Sequence, residues 1–358
     1  MIVDKEFVEA AAYGGGVLGG GGGGSICEGI NFGKQALSVG EPRIVGIDEI
    51  SKDAILITVS RVGAPGAREQ EVKPKDYVKA IELLLEEGIP VEGIITSENG
   101  GFSTLNGFYQ SAILGLPVVD APCNGRAHPS GLMGSLSLHK LNDYVSIQAA
   151  VGGSKDRNRR VEAVVRGNIL QTAKTIRELS VKAGGYVAVA RNPVKVSYAI
   201  KTAAVGSIGK AVLLGRAMIN AKSRGVEEVL KTMERVLEGK LVARGVVIEV
   251  FMETREGFDV GELTIKNGSK EYNLCFCNEY MTLEQEGRRI GTFPDLITTM
   301  NVANGLPVPS CEVKKGMEIV VLHVAKEKLT LGAGMRDPEL YKAIEVLTGK
   351  KIISYSFP

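Results

Sequence analysis

The sequence predicts an α/β protein whose N-terminal domain carries a partly parallel sheet, with a C-terminal half in which helices give way to a β-sandwich or barrel-like module. Three observations carry this prediction. Strand-like and helix-like patterns alternate over the first 165 residues. Residues 167–239 are mostly helical, with Ile169, Ala173, Ile176 and Leu179 at helical spacing. From Leu241 onward, short alternating strands follow one another. With 358 residues, 44% of them hydrophobic and 23% charged, the chain can bury a large core. It is expected to divide into residues 1–166, an α/β domain with a glycine-rich loop, and residues 167–358, a helical segment over 167–239 followed by a β-rich module over 240–358.

The elements follow in order. A short helical pattern leads into a run from Gly14 to Gly24 in which only Val17 and Leu18 are not glycine. Each ordered glycine costs about 0.5–1 kcal/mol more than alanine in backbone freedom, so such a run marks backbone approached closely by a ligand, or else a mobile loop. Residues 55–59 read as a buried strand. Pro74 opens a helix in which Tyr77, Val78, Ile81, Leu84 and Leu85 form one apolar stripe, and Gly88 stops it. Residues 93–96 read as a strand running into Ser97, Glu98 and Asn99. A helix over about 104–114 leads to the strand 116–119, which ends at Asp120. Two successive strands thus deliver polar residues at their C-terminal ends, where open α/β sheets bind ligands. A strand over 185–190 interrupts the helical segment. The β-rich module reads as strands over 242–250, 261–265, 272–277, 296–301 and 318–323, closed by a helix over 339–347.

Composition excludes several classes. Forty-three basic against forty-one acidic residues leave a net charge of +2 without a basic stripe, so no nucleic-acid partner is expected. No apolar run approaches the ~18 residues of a membrane span, and the acids in Met-Ile-Val-Asp-Lys-Glu do not suit a signal peptide, so a cytoplasmic location is expected. The five cysteines, Cys27, Cys123, Cys275, Cys277 and Cys311, are odd in number and widely scattered and do not read as a disulfide framework; the only close pair, Cys275 and Cys277, reads as buried structural thiols rather than a zinc site. The glycine run follows a helix and not a strand, and no phosphate loop is present, so no nucleotide cofactor is expected.

The densest polar constellation runs from Asp120 through Cys123, Asn124, Arg126 and His128 to Pro129. Arg126 offers a planar fork for a carbonyl or carboxylate; Asp120 can orient or activate water; His128 can exchange protons near neutral pH. The alternative is a loop bonded within itself. Glu98 and Asn99, on the preceding strand, would lie beside it if the two strands are parallel neighbours. His139 and His323 read as structural. Cys123 is the best-placed thiol for a nucleophile, although no third partner is visible.

The glycine run, Leu-Pro-Val-Val-Asp ending at Asp120, Gly-Arg-Ala-His-Pro over 125–129, Asn278-Glu279-Tyr280 and Phe293-Pro294-Asp295 together resemble the S-methyl-thiohydantoin desulfurase-like family over essentially the whole chain. The resemblance implies two domains meeting near residue 167 and an enzyme hydrolysing or desulfurising a small cyclic amide or thioimidate. It implies Asp120, His128 and Glu98 as catalytic residues. Gly21, Gly22, Gly23, Gly24, Ser25, Asn99, Asn124, Arg126, Asn278, Glu279 and Asp295 would bind substrate. The chain departs from the family at Ser25-Ile26, where members carry Asp-Pro, and at His128, where an aromatic is common. A competing reading is a non-catalytic metabolite-binding or regulatory subunit, with a hydantoinase/oxoprolinase-type protein as candidate partner. A third is a divalent-metal hydrolase using Glu98, Asp120, His128 and Asp295. Apolar edge strands in the β module permit a homo-oligomer.

Overall fold

The structure, a computed structural model, describes residues 1–64, 69 and 71–357. Helix α1 (Lys5–Leu18) begins where the Asp4 carboxylate accepts the Phe7 N–H at 2.7 Å. It continues through Gly14, Gly15 and Gly16, so the first three glycines belong to the helix, and the loop expected there shrinks to residues 19–24. Helix α2 (Ile26–Val39) follows at once. Ser25 is its N-cap, accepting the Glu28 N–H at 3.2 Å, while the Glu28 carboxylate reaches back to Ser25. Asp and Ser are both strong N-caps, and Pro is favoured at the first helical position, so the family's Asp-Pro and this chain's Ser-Ile are two ways of starting one helix.

The first sheet has seven strands in the order β1-β4-β3-β2-β7-β5-β6. Strands β1 (Ile44–Val45), β2 (Ile55–Gly63), β3 (Val91–Thr96) and β4 (Val118–Val119) run parallel. The parallel set is built as its sequence implies. Helix α3 (Pro74–Glu86) buries Tyr77, Val78, Ile81 and Leu84, and α4 (Phe108–Leu114) returns the chain from β3 to β4. The antiparallel part consists of β5 (Ser146–Gly152), β6 (Val161–Gly167) and β7 (Tyr186–Lys195), with β7 between β2 and β5. Helix α5 (Ile169–Lys182) packs on this side of the sheet.

Helices α6 (Val196–Thr202), α7 (Ser207–Lys222) and α8 (Val226–Val236) lead to the second sheet, and α7 lies along α1. That sheet is curled and antiparallel, in the order β12-β11-β10-β9-β8-β14-β13. Its strands are β8 (Lys240–Arg255), β9 (Phe258–Asn267), β10 (Lys270–Cys277), β11 (Glu279–Gln285), β12 (Arg288–Thr292), β13 (Leu296–Asn301) and β14 (Glu318–Val324). Short helices α9 (Lys342–Thr348) and α10 (Ile353–Ser356) close the chain. Tyr13, Val17, Leu214 and Met218 of α1 and α7 share one core with Leu296, Met300, Val320 and Leu322 of β13 and β14, which joins the helical layer to the second sheet. Among the described residues, no single helix is long and apolar enough to cross a membrane.

Candidate functional site

Two strand ends, one helix, one glycine turn and one irregularity in the second sheet line a small polar cavity of about 60 Å3. Ser60 and Arg61 of β2, Ser97 and Glu98 after β3, His128 to Gly131, Arg177 of α5, Arg191 of β7, Gly23, Gly24, Asn278 and Glu279 line it. It lies beyond the C-terminal end of β3, as an open α/β sheet favours.

Two carboxyl groups meet there. One oxygen of Glu98 accepts the Ser103 hydroxyl at 3.0 Å and the other the His128 backbone N–H at 3.1 Å. Burial pushes its pKa up to about 7, against the pull of those hydrogen bonds and of Arg191 and Arg126. Glu279 opens β11, where Asn278 sits at a φ of 57° and the ladder with β10 shifts register between Cys275 and Phe276. It is 2% exposed, and its Oε2 has no hydrogen-bond partner. Burial, reinforced by the charge of Glu98, holds it well above the ordinary carboxylate range. Both acids are therefore held above the ordinary carboxylate range. The glycine turn is fitted to them: a Cβ on Gly22 would strike the Glu279 carboxylate, and Gly23, at a φ of 74°, presses on the backbone of Gly100. The Gly23 carbonyl accepts the N–H groups of Phe102 and Ser103 at 2.9 and 3.0 Å, and the Gly20 carbonyl that of Tyr280 at 2.8 Å. The amide N–H groups of Gly23 and Gly24 have no partner among the described residues.

Guanidinium groups balance the acids. Arg177 donates to the carbonyls of Gly63, Gly257 and Pro129 at 3.1, 2.9 and 3.0 Å and stacks 4.1 Å from the Phe258 ring centre; burial lowers its pKa to about 10. Arg61 is paired with Glu28 through two bonds of 3.1 Å and lies between the rings of Phe102 and Tyr186. Arg191 differs from both. It is 3% exposed, its Nε has no hydrogen-bond partner, and no carboxylate among the described residues forms an ion pair with it. An unpaired buried charge is costly, and a ligand that accepts from it recovers that cost.

Burial, with help from Arg191, lowers the His128 pKa to about 3, so the ring is neutral at physiological pH and its 3.4 Å approach to Glu98 is not an ion pair. Its Nδ1 is also without a partner. Ser60 Oγ, His128 Nδ1, Arg191 Nε and Glu279 Oε2 are thus four buried polar atoms without partners around one cavity. Native structures leave few such atoms, and clustering them marks a place for a polar ligand.

The sequence-derived residues divide. Glu98, His128, Gly23, Gly24, Asn278 and Glu279 line the cavity; the others do not. Asp120 accepts the N–H groups of Ile208 and Gly209 at 2.7 and 3.0 Å, so it holds the N-terminus of α7 and has no free oxygen to activate water. Arg126 is fully buried behind the glycine turn, donating to the carbonyls of Ala127, Pro294 and Asp295 and stacking on Phe293. Asn99 pins the carbonyls of Gly125 and Ser207, and Asn124 accepts the Gly332 N–H. Asp295 binds His323 at 2.9 Å and the Lys326 N–H at 2.9 Å. Gly21 packs on the Tyr280 ring, Gly22 on the Glu279 carboxylate, and Ser25 caps α2. Glu98, Asp120, His128 and Asp295 therefore do not converge as metal ligands, and no cluster of three or more His, Cys, Asp or Glu suited to a metal occurs among the described residues. The Cys123 thiol, 3.2 Å from the Thr58 hydroxyl and pushed up to about 11 by burial, is protonated and off the cavity, which removes it as a nucleophile.

Sequence reasoning missed Arg191, Arg177 and Ser60. A signal for Arg191 existed: it follows Val187, Ala188, Val189 and Ala190, four consecutive buried apolar residues of β7. An arginine is almost never placed there without a partner.

Fold and site together define an α/β protein with two buried acids and an unpaired arginine between two sheets. The family models for the S-Me-THD-like N-terminal domain and C-terminal domain match residues 6–158 and 168–336, and the chain belongs to this family. Its fold is similar to a crystal structure of a protein from Chromobacterium violaceum, with 21% identity over 89% of this chain and 91% of that one and a TM-score of 0.66. That likeness is one of fold alone. Comparison with curated proteins finds no match.

Proposed function

We propose that the chain is an enzyme that hydrolyses a small hydantoin-like ring, releasing methanethiol from an S-methyl-thiohydantoin. The observation that carries this reading is the pair of carboxyl groups on one cavity, both held above the ordinary carboxylate range by burial, together with four unpartnered polar atoms among the described residues. Two carboxyl groups in one site can serve as a general base and a general acid. Family membership supplies the substrate class.

In the reaction, Glu98 takes a proton from water as the water oxygen bonds to the ring carbon that carries sulfur. Protonated Glu279 gives its proton to the adjacent ring nitrogen. The tetrahedral centre then collapses: the carbon–sulfur bond breaks, methanethiolate leaves with the proton held by Glu98, and the ring nitrogen keeps its hydrogen. The carbonyl forms as the hydroxyl of the tetrahedral centre gives its proton to Glu279, which restores the protonated acid. Arg191 donates to a ring oxygen or other anionic group, and the free amides of Gly23 and Gly24 stabilise charge developing on oxygen, an effect worth ~2.7–4 kcal/mol per donor in other enzymes. His128, neutral, is an acceptor for a ring N–H rather than a proton donor.

The test is thiol release from S-methyl-thiohydantoin, followed with a disulfide chromophore. Wild type should release one thiol per ring, and Glu98→Gln should lower the rate by about 10²–10⁴. Absence of thiol release together with tight ring binding by wild type would favour the metabolite-binding subunit instead.

A further inference from the structure

The second sheet contains a long strand that outruns one of its neighbours. Strand β14 pairs with β8 only as far as Val246, and the last bonds on that side join Val247 to Met317 at 2.8 Å and Gly316 to Val247 at 2.8 Å. Beyond this point β8 continues to Arg255, paired on its other side with β9 throughout. Residues 248–255 therefore form a sheet edge with no strand beside it among the described residues. The edge is apolar in part: Phe251 is 59% exposed and Met252 39% exposed. Exposed edges of this kind pair with other strands unless something blunts them.

Which backbone groups face outward follows from the hairpin. Glu256 and Gly257, at φ of 53° and 78°, make the two-residue turn between β8 and β9, and Arg255 and Phe258 are the pair that flanks it. The flanking pair of such a turn is hydrogen-bonded, and hydrogen-bonded pairs then alternate along the strand. Arg255, Glu253, Phe251 and Glu249 accordingly aim their N–H and C=O groups at β9. Val250, Met252 and Thr254 aim theirs away, at the open side.

We infer that this edge pairs with the same edge of a second copy of the chain, antiparallel and centred on Met252. The outward groups of Met252 meet those of the copy's Met252, and Val250 and Thr254 meet each other across the two-fold axis, so every outward group of 250–254 finds a partner. No neighbouring register uses all three residues. The same register places Glu249 opposite Arg255 of the copy, twice by symmetry, beside the Glu253 with which Arg255 pairs in its own chain, and sets Phe251 opposite Glu253 and diagonal to Phe251 and Arg255 of the copy. Opposite charges facing one another and aromatic diagonal contacts both favour strand pairing. A one-step shift to a centre on Phe251 would instead set Glu249 against Glu253. Charge and hydrogen bonding thus select the same register, which is why the occupant is a second copy. The turn at the tip of this ribbon is the one whose Gly257 carbonyl holds Arg177, so the interface ends beside the cavity.

Sedimentation velocity on the full chain at micromolar concentration tests this. Wild type should run as a dimer. Met252→Pro should run as a monomer with unchanged far-ultraviolet circular dichroism, because the N–H it removes is not used by β9 and proline is tolerated on an edge. Glu249→Arg should weaken the dimer about tenfold, and Arg255→Glu added to it should restore the affinity. A monomeric wild type, a Met252→Pro variant that remains dimeric while folded, or a charge swap that restores nothing would each overturn the proposal.

Discussion

Replacing Glu98 by glutamine should stabilise the protein at alkaline pH while stopping its chemistry. The Glu98 pKa rises from 4.5 to about 7 on folding because burial disfavours its charge. Folded protein therefore holds a proton that the unfolded chain has released, and stability from this group is fully present below about pH 4.5 and is lost as pH rises through 7. Well above pH 7 the buried charge costs about 3 kcal/mol. Glutamine removes that cost but supplies one acceptor oxygen where the Ser103 hydroxyl and His128 N–H had two, a loss of about 1 kcal/mol at any pH. The net gain is about 2 kcal/mol at pH 8.5 and near zero at pH 5. For a chain of this length that is about 3 °C in Tm, if it unfolds as one unit. Thermal unfolding of wild type and Glu98→Gln at the two pH values, by calorimetry without ligand, measures it. A variant less stable than wild type at pH 8.5, or equally shifted at both pH values, refutes the assignment of a buried, titrating Glu98. The wild-type kcat/KM should also rise tenfold per pH unit below 7, since the base must be ionised to act.

Asp120→Ala should cost about 1–2 kcal/mol by uncapping α7, with turnover per folded molecule unchanged in a thiol-release assay. Ser25→Asp should lie within about 0.5 kcal/mol of wild type by chemical denaturation, and Ser25→Ala should lose about 1 kcal/mol, because the residue is an N-cap and no more. Gly22→Ala should displace Glu279, destabilising the fold by about 1–3 kcal/mol and lowering kcat, read by denaturation and rate together. Arg191→Gln should raise KM or the ligand Kd about 10²-fold without lowering Tm, because the guanidinium has nothing to lose in the free protein.

Elements whose signals are local were legible in the sequence. The stripe on α3, its Pro74 start and its Gly88 stop sit within one window, as do the alternating strands β9, β10, β13 and β14. Strands β5, β6, β11 and β12 escaped, since their patterns are short or mixed and only their partners make them strands. Helix α2 escaped because glycines before it mimic a loop, although Ser25 and Glu28 spell a capping box. The site was half legible for a related reason. Glu98, His128 and Glu279 come to one cavity, where polar residues at strand ends and irregularities are placed by local pattern. Asp120 and Arg126 lie off it, and a charged loop gives no sign of which distant groups satisfy it: the partners of Arg126 at Pro294 and Asp295 lie some 168 and 169 residues on. Arg191 was hidden by the opposite fault, having no hydrogen-bond or ion-pair partner among the described residues to suggest a role.

The bond from Tyr280 N–H to the Gly20 carbonyl carries a consequence for synthesis. At ~5–20 residues per second, the ribosome needs roughly 15–50 s to make the 260 residues between them. For that time the glycine turn, among the first residues made, has no second sheet to lean on. Glu279 emerges with Tyr280, so the pocket closes only late in translation. A nascent chain halted before that point would have the first sheet but neither a seated turn nor Glu279 against it. The order of emergence therefore delays assembly of the cavity until both sheets have been made.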